Sequence, residues 1–195
     1  MTFQVNAQNT AEEIKKAAEA AVKLADENPE DGLKQYAAAG ALATAAVNDN
    51  SKYEQALAYA HKALKIAQAH KERKDTLLAN AYSILGTIYM MQGSMDNACD
   101  FMELSVDATE EQMGRYDPLT IYNRLKVGLN INSIYPDTRR GFLHIMQALY
   151  DNEKAPANKR IKNLDQLNIQ FSMAMEQMMV SLYDAYAQIA LGVRL

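Results

Sequence analysis

Four prolines divide the chain, and each falls where a run of helical apolar spacing breaks: Pro29, Pro118, Pro136 and Pro156. Proline inside a helix removes a hydrogen bond and clashes with the preceding turn, at a cost of about 3 kcal/mol. A chain that keeps its prolines at the seams is free to be helical elsewhere. Of 195 residues, 31 are alanine and only 8 are glycine, so the best helix former dominates. The expected class is all-α. The length suits one domain or a short repeat array, and a hydrophobic share of 49% is enough for a sizeable core. A formal net charge of -4 gives no electrostatic reason to expect nucleic acid or an anionic membrane as partner. One cysteine excludes an internal disulfide framework and a cysteine-based structural zinc site.

Local signals place the helices. Thr10-Ala-Glu-Glu13 reads as a capping box for a first helix, with Ile14, Ala17, Ala21 and Leu24 following at helical spacing. Asn28-Pro29 ends it. A second helix is expected from about Asp31 to Val47, and its stretch from Ala37 to Ala46 is nearly all small, which lets two helix backbones approach closely. Ser51-Lys-Tyr-Glu54 reads as a second capping box, opening a third helix that buries Tyr53, Ala56, Leu57, Ala60, Ala63, Leu64 and Ala67. Asp75 caps a fourth, which Gly93 stops; Ser94 or Asp96 opens a fifth, which Gly114 stops. Asp117-Pro118 puts proline at the first position of a sixth, where its missing amide costs nothing. A seventh is expected near Thr138–Tyr150, and residues 151–163 read as a polar loop. The stretch from Thr76 to Met95 carries no charge, but Asn80, Ser83, Thr87 and Gln92 are spread along it, which argues against a membrane span.

The two ends differ in character. Residues 1–9 are polar, and Asn6-Ala7-Gln8 has the look of a signal-peptide cut. They read either as the remnant of an exported or periplasmic protein's signal or as a disordered cytoplasmic start, with export slightly favoured. From Asn163 onward Leu164, Leu167, Phe171, Met175, Met178, Leu182, Tyr186, Ile189 and Val193 recur at spacings of three and four. That stripe predicts one helix over 163–195, spanning roughly 45 Å at 1.5 Å per residue.

An internal period is also legible. Tyr53-x-x-Ala56-x-x-x-Ala60-x-x-Ala63 recurs 42 residues later as Met95-x-x-Ala98-x-x-x-Met102-x-x-Ser105. The clearest unit is Tyr82-x-x-Leu85-Gly86-x-x-Tyr89-x-x-x-Gly93-x-x-x-x-Ala98. This resembles the tetratricopeptide repeat (TPR), in which small and large residues alternate between two packed antiparallel helices. The long spacing, with Gly114, Pro118 and Thr120 after the second helix, resembles the kinesin-light-chain type of that repeat. The resemblance covers residues about 33–130. It implies an antiparallel helix-hairpin array, an α-α superhelix, in a single helical domain over 10–195. Its parts would be a first hairpin at 10–50, a TPR-like core at 51–93 and 94–130, a helix at 131–150 and a long capping helix at 163–195. Gly86 would sit where two helices touch, with Ala98 facing it.

Function follows from that resemblance more than from any local motif. The histidines His61, His70 and His144 and the lone Cys99 form no local catalytic arrangement, and no phosphate loop, metalloprotease motif or nucleophile elbow occurs. The expectation is a non-catalytic scaffold for a protein or peptide, without cofactor or metal. The resemblance implies a concave face bearing Asn80, Ser83, Thr87, Met90, Asn123, Val127 and Asn130, uncharged and suited to an extended peptide backbone. Met175, Met178, Met179, Tyr183 and Tyr186 are expected to form an interface, so a structural homodimer built on the last helix is an alternative. A helical enzyme or small-ligand binder without a local motif is another. Asp96, Asp100, Glu103, Asp107 and Glu110 or Glu111 form an acidic row on the fifth helix. It reads as a solvated face, or else as a dock for a basic partner; carboxylates on a straight helix cannot wrap a calcium ion.

Overall fold

The computed structural model describes residues 2–47, 49–70, 75–135 and 139–162, with only the backbone for 2–10. The expected long helix, with its interface residues Met175, Met178, Met179, Tyr183 and Tyr186, lies outside these residues. Seven α-helices and no strands are found among the described residues: α1 (Thr2–Asp26), α2 (Gly32–Ala46), α3 (Lys52–Ala69), α4 (Leu77–Met91), α5 (Met95–Met113), α6 (Pro118–Ile134) and α7 (Arg139–Lys154). They fall into two compact units that divide between Gln112 and Met113, called unit 1 and unit 2. Among the described residues, no helix is long and apolar enough to cross a membrane; α4 takes up only 15 residues of the uncharged stretch.

Several ends follow the local chemistry. Asp31 caps α2 by accepting from the amides of Leu33 and Lys34. Asp117 accepts from the Leu119 amide with Pro118 at the first turn of α6. Gly93 and Gly114 take left-handed φ values of 80° and 89°. At Gly93 the chain closes a Schellman motif: Ser94 N–H donates to Tyr89 O at 2.9 Å, and Gly93 N–H to Met90 O at 3.0 Å. Asp75 accepts from the Leu77 amide at 3.0 Å.

Two capping boxes do not form. Helix α1 begins at Thr2, so Thr10 and Glu13 are interior to it; nothing between Phe3 and Gln8 breaks helix propagation toward the N-terminus. Ser51 makes no side-chain cap for α3. Its hydroxyl and amide both donate to Asp49 Oδ1, at 2.7 and 3.1 Å, so the aspartate two residues earlier wins the competition for the turn. Helix α7 also runs past Tyr150 to Lys154, into residues expected as loop.

In unit 1, α1 and α3 both pack on α2, and α4 packs on α3 and α2. Ala39 and Ala43 of α2 share one buried cluster with Ala56 and Ala60 of α3, and Ala38, Ala46, Ala63 and Ala67 are buried as well. Gln35, 1% exposed, ties α2 to the end of α1 by donating to Ala25 O and Asn28 O at 2.8 and 3.1 Å. Between α4 and α5, a Cβ on Gly86 would lie 3.1 Å from Ala98 O and 2.9 Å from Met102 Cγ. The two helices therefore touch at that glycine, and Tyr89 stacks on Phe101 beside it, ring centroids 5.4 Å apart.

Gly40 in α2 is a different case. A Cβ there would meet only Ile84 Cδ1, at 3.9 Å, an ordinary contact. Gly40→Ala is expected to stabilise the protein by about 0.5–1 kcal/mol, because alanine removes unfolded-state freedom and has the better helix propensity. A urea midpoint that falls would show that α2 has less room than the geometry gives it.

Unit 2 pairs α6 with α7 around Ile121, Leu125, Ile145, Ala148 and Ala155. Two glycines set the closeness of that pair. A Cβ on Gly141 would come within 2.6 Å of Gly128 O, and one on Gly128 within 2.8 Å of Gly141 O.

Candidate functional site

The residues expected on a concave face are placed as follows. Asn80, Ser83, Thr87 and Met90 lie along α4, all half-buried. Two of them are engaged within their own helix: Asn80 Nδ2 donates to Thr76 Oγ1 at 3.2 Å, and Thr87 Oγ1 to Ser83 O at 3.0 Å. Asn123 and Asn130 are half-buried on α6. Val127, in the same helix, is 3% exposed; it belongs to the packing of unit 2 and has no surface to give a ligand. Position 127 falls on the inward side of α6 with Ile131, which is also buried.

The chemistry-bearing side chains are dispersed. His61 and His70 are exposed on α3 and at its end, and His144 is half-buried on α7. Cys99 is fully buried. On α5, Asp96, Asp100, Asp107 and Glu111 are exposed while Glu103 and Glu110 are half-buried, the disposition of an outer face. Among the described residues, no three His, Cys, Asp or Glu side chains gather closely enough to hold a metal ion.

What sequence reading missed is a cleft in unit 1. It opens between α1 and the start of α3, over the C-terminal half of α2, and measures about 740 Å³. Ile14, Ala18, Val22, Leu42 and Ala45 form its apolar floor; Ala18 and Leu42 are buried and the others half-buried. Glu12, Lys15, Glu19, Asp49, Lys52 and Gln55 stand around it. The Ser51 hydroxyl, then its amide, hold the Asp49 carboxyl below the usual carboxylate range, so that part of the rim is anionic at neutral pH. The volume lies in the range of ligand pockets, which are commonly floored by apolar side chains. Neither a protein-family model nor a curated protein sequence matches this chain.

Beyond the cleft, Tyr59 on α3 donates its hydroxyl to Asp26 Oδ1 at the end of α1, at 2.7 Å. Burial, then the hydrogen bond to Asp26 and its negative charge, push the Tyr59 phenol up to about 12. A phenol raised above its unfolded value near 10 contributes stability that is intact below pH 10 and is lost as the pH rises toward 12. Tyr59→Phe is therefore expected to flatten the fall in urea midpoint between pH 10 and 12. An unchanged slope would show that Tyr59 titrates like an exposed tyrosine.

Unit 2 hides a second feature absent from the sequence reading. Asp151, placed by sequence in a loop, is in α7 with its side chain 1% exposed. Its Oδ1 accepts from Arg115 Nε and Gln147 Nε2, each at 2.8 Å. Its Oδ2 lies 4.0 Å from Arg124 Nε and has no hydrogen-bond partner. The available signal was helical spacing: Asp151 and Asn152 continue the inward face of Ile145 and Ala148. Asn152 then pins the returning chain, accepting from the Ile161 amide at 2.8 Å. This cluster reads as structural, since a carboxylate with so little exposure must be held by partners.

Proposed function

We propose that this chain is a non-catalytic, TPR-like helical module that binds a protein or peptide partner. The observation carrying the reading is the cleft of unit 1, a preformed apolar surface without a nucleophile–base pair on its rim. The neighbour relations support it: α4 lies on both α3 and α2, as the first helix of one stacked pair lies on the pair before it. So does the contact of Gly86 with Ala98 and Met102, the small-residue seam of a helix hairpin. The action is passive. A groove that exists before binding loses little ordering entropy when it is filled.

The test is a photo-crosslinking residue in place of Lys15, on the rim, introduced in the native source. Discrete protein adducts that vanish with Ala45→Glu are expected. The absence of adducts, or adducts indifferent to Ala45→Glu, would remove the cleft from consideration.

One observation favours a homodimer as the second reading. Leu143, Met146 and Tyr150 are 62%, 42% and 52% exposed and form one row on α7 at spacings of three and four. A mass that rises with concentration, and stays monomeric in Leu143→Glu, would support it.

A further inference from the structure

We infer that the occupant of the unit 1 cleft is an amphipathic helix, and this inference rests on the binding role proposed above. The floor decides the form of the ligand. Ile14, Ala18, Val22, Leu42 and Ala45 offer no donor or acceptor from their side chains. The backbones of α1 and α2 beneath them are committed to their own helices. An extended peptide laid there would bury amide and carbonyl groups without partners, each costing about 1–3 kcal/mol. A helix satisfies its own backbone and presents only side chains.

Length and charge narrow the partner further. The α1 wall runs from Ala11 to Val22, roughly 16 Å or three turns. That accommodates three apolar anchors at spacings of three and four. Along this wall Glu12, Lys15 and Glu19 alternate in sign at spacings of three and four, which puts them on one edge of the helix. The matching partner carries basic, acidic and basic residues in turn along one flank of its apolar stripe. Asp49 and Lys52 on the facing wall ask for the opposite pair on the other flank.

The probe is a fluorescein-labelled peptide of roughly 14 residues, about four turns. It carries leucines at i, i+4 and i+7, Lys-Glu-Lys on one flank and alanine elsewhere. Controls are a scrambled peptide of the same composition and a proline-rich peptide that stays extended. Fluorescence anisotropy is expected to show saturable binding of the helical probe alone, with its helicity rising on binding. Ala45→Glu should weaken it at least about tenfold by placing a charge under an apolar anchor. The exposed double variant Glu12→Lys with Glu19→Lys is chosen to keep the fold. It should weaken the probe and, because Lys15 remains, gain affinity for a peptide with Glu-Glu-Glu on that flank. Equal binding of the scrambled or proline-rich peptide overturns the helical occupant. So does a charge-reversed variant that shows no exchange of preference. Loss of native adducts in Ala45→Glu without any probe binding overturns this inference and leaves the binding role standing. Failure of both overturns both.

Discussion

Replacing Asp151 with alanine is expected to destabilise unit 2 by about 3–5 kcal/mol. The carboxylate is 1% exposed and receives Arg115 and Gln147 on one oxygen, with Arg124 Nε 4.0 Å from the other. Alanine removes a full negative charge from beside Arg124, 13% exposed, and takes away the oxygen that accepts from Arg115 and Gln147. Part of the loss is therefore the penalty on donors that lose this acceptor, and part is the bond energy itself. Two measurements separate these. Hydrogen exchange of the α6 and α7 amides reports opening of unit 2. A double variant, Asp151→Leu with Arg124→Met, removes the carboxylate and the more buried of its two cations, leaving Arg115, which is 43% exposed, and should recover part of the loss. A single variant within about 0.5 kcal/mol of the parent would fall in the range of ordinary surface substitutions and would show that the cluster holds nothing.

The second large effect is expected at Gly141. Its added Cβ would meet Asn132 N at 2.5 Å and Gly128 O at 2.6 Å. Both obstacles are backbone, so no side chain can turn away to make room. Gly141→Ala should force α6 and α7 apart and cost about 2–4 kcal/mol, despite alanine's better helix propensity. Gly86→Ala should cost less. Its closest obstacle is Met102 Cγ at 2.9 Å, and methionine is adaptable, although Ala98 O at 3.1 Å still limits the shift. Together with the gain expected at Gly40, the three alanine substitutions should rank in the order of backbone crowding. Urea midpoints for the three variants check this. If Gly141→Ala costs no more than Gly86→Ala, the close approach of α6 to α7 is wrong.

What the sequence determined by itself was local. Gly93 and Gly114 end helices because a left-handed residue follows each last turn, and Pro118 opens α6 because its missing amide has no partner to lose there. Asp31 caps α2 with its own carboxylate. The meeting of Gly86 with Ala98 was also legible, from the Leu85-Gly86, Tyr89 and Ala98 spacing; the approach of Met102 to the same glycine was not. Where two local candidates competed, other local chemistry decided: Asp49 takes the turn before α3 from Ser51, and Thr10 is carried inside α1 by helix propagation. The remaining features needed packing between elements that no local rule relates. Gly128 and Gly141 are separate helical glycines until α6 and α7 are laid together. Asp151 is a polar residue after Tyr150 until the fold puts Arg115, Arg124 and Gln147 around it. The cleft appears in no segment, because its floor and walls come from α1, α2 and α3. A cap or a stop is fixed by neighbours within a few residues, whereas a buried charge or a groove is fixed by which helix faces close on one another.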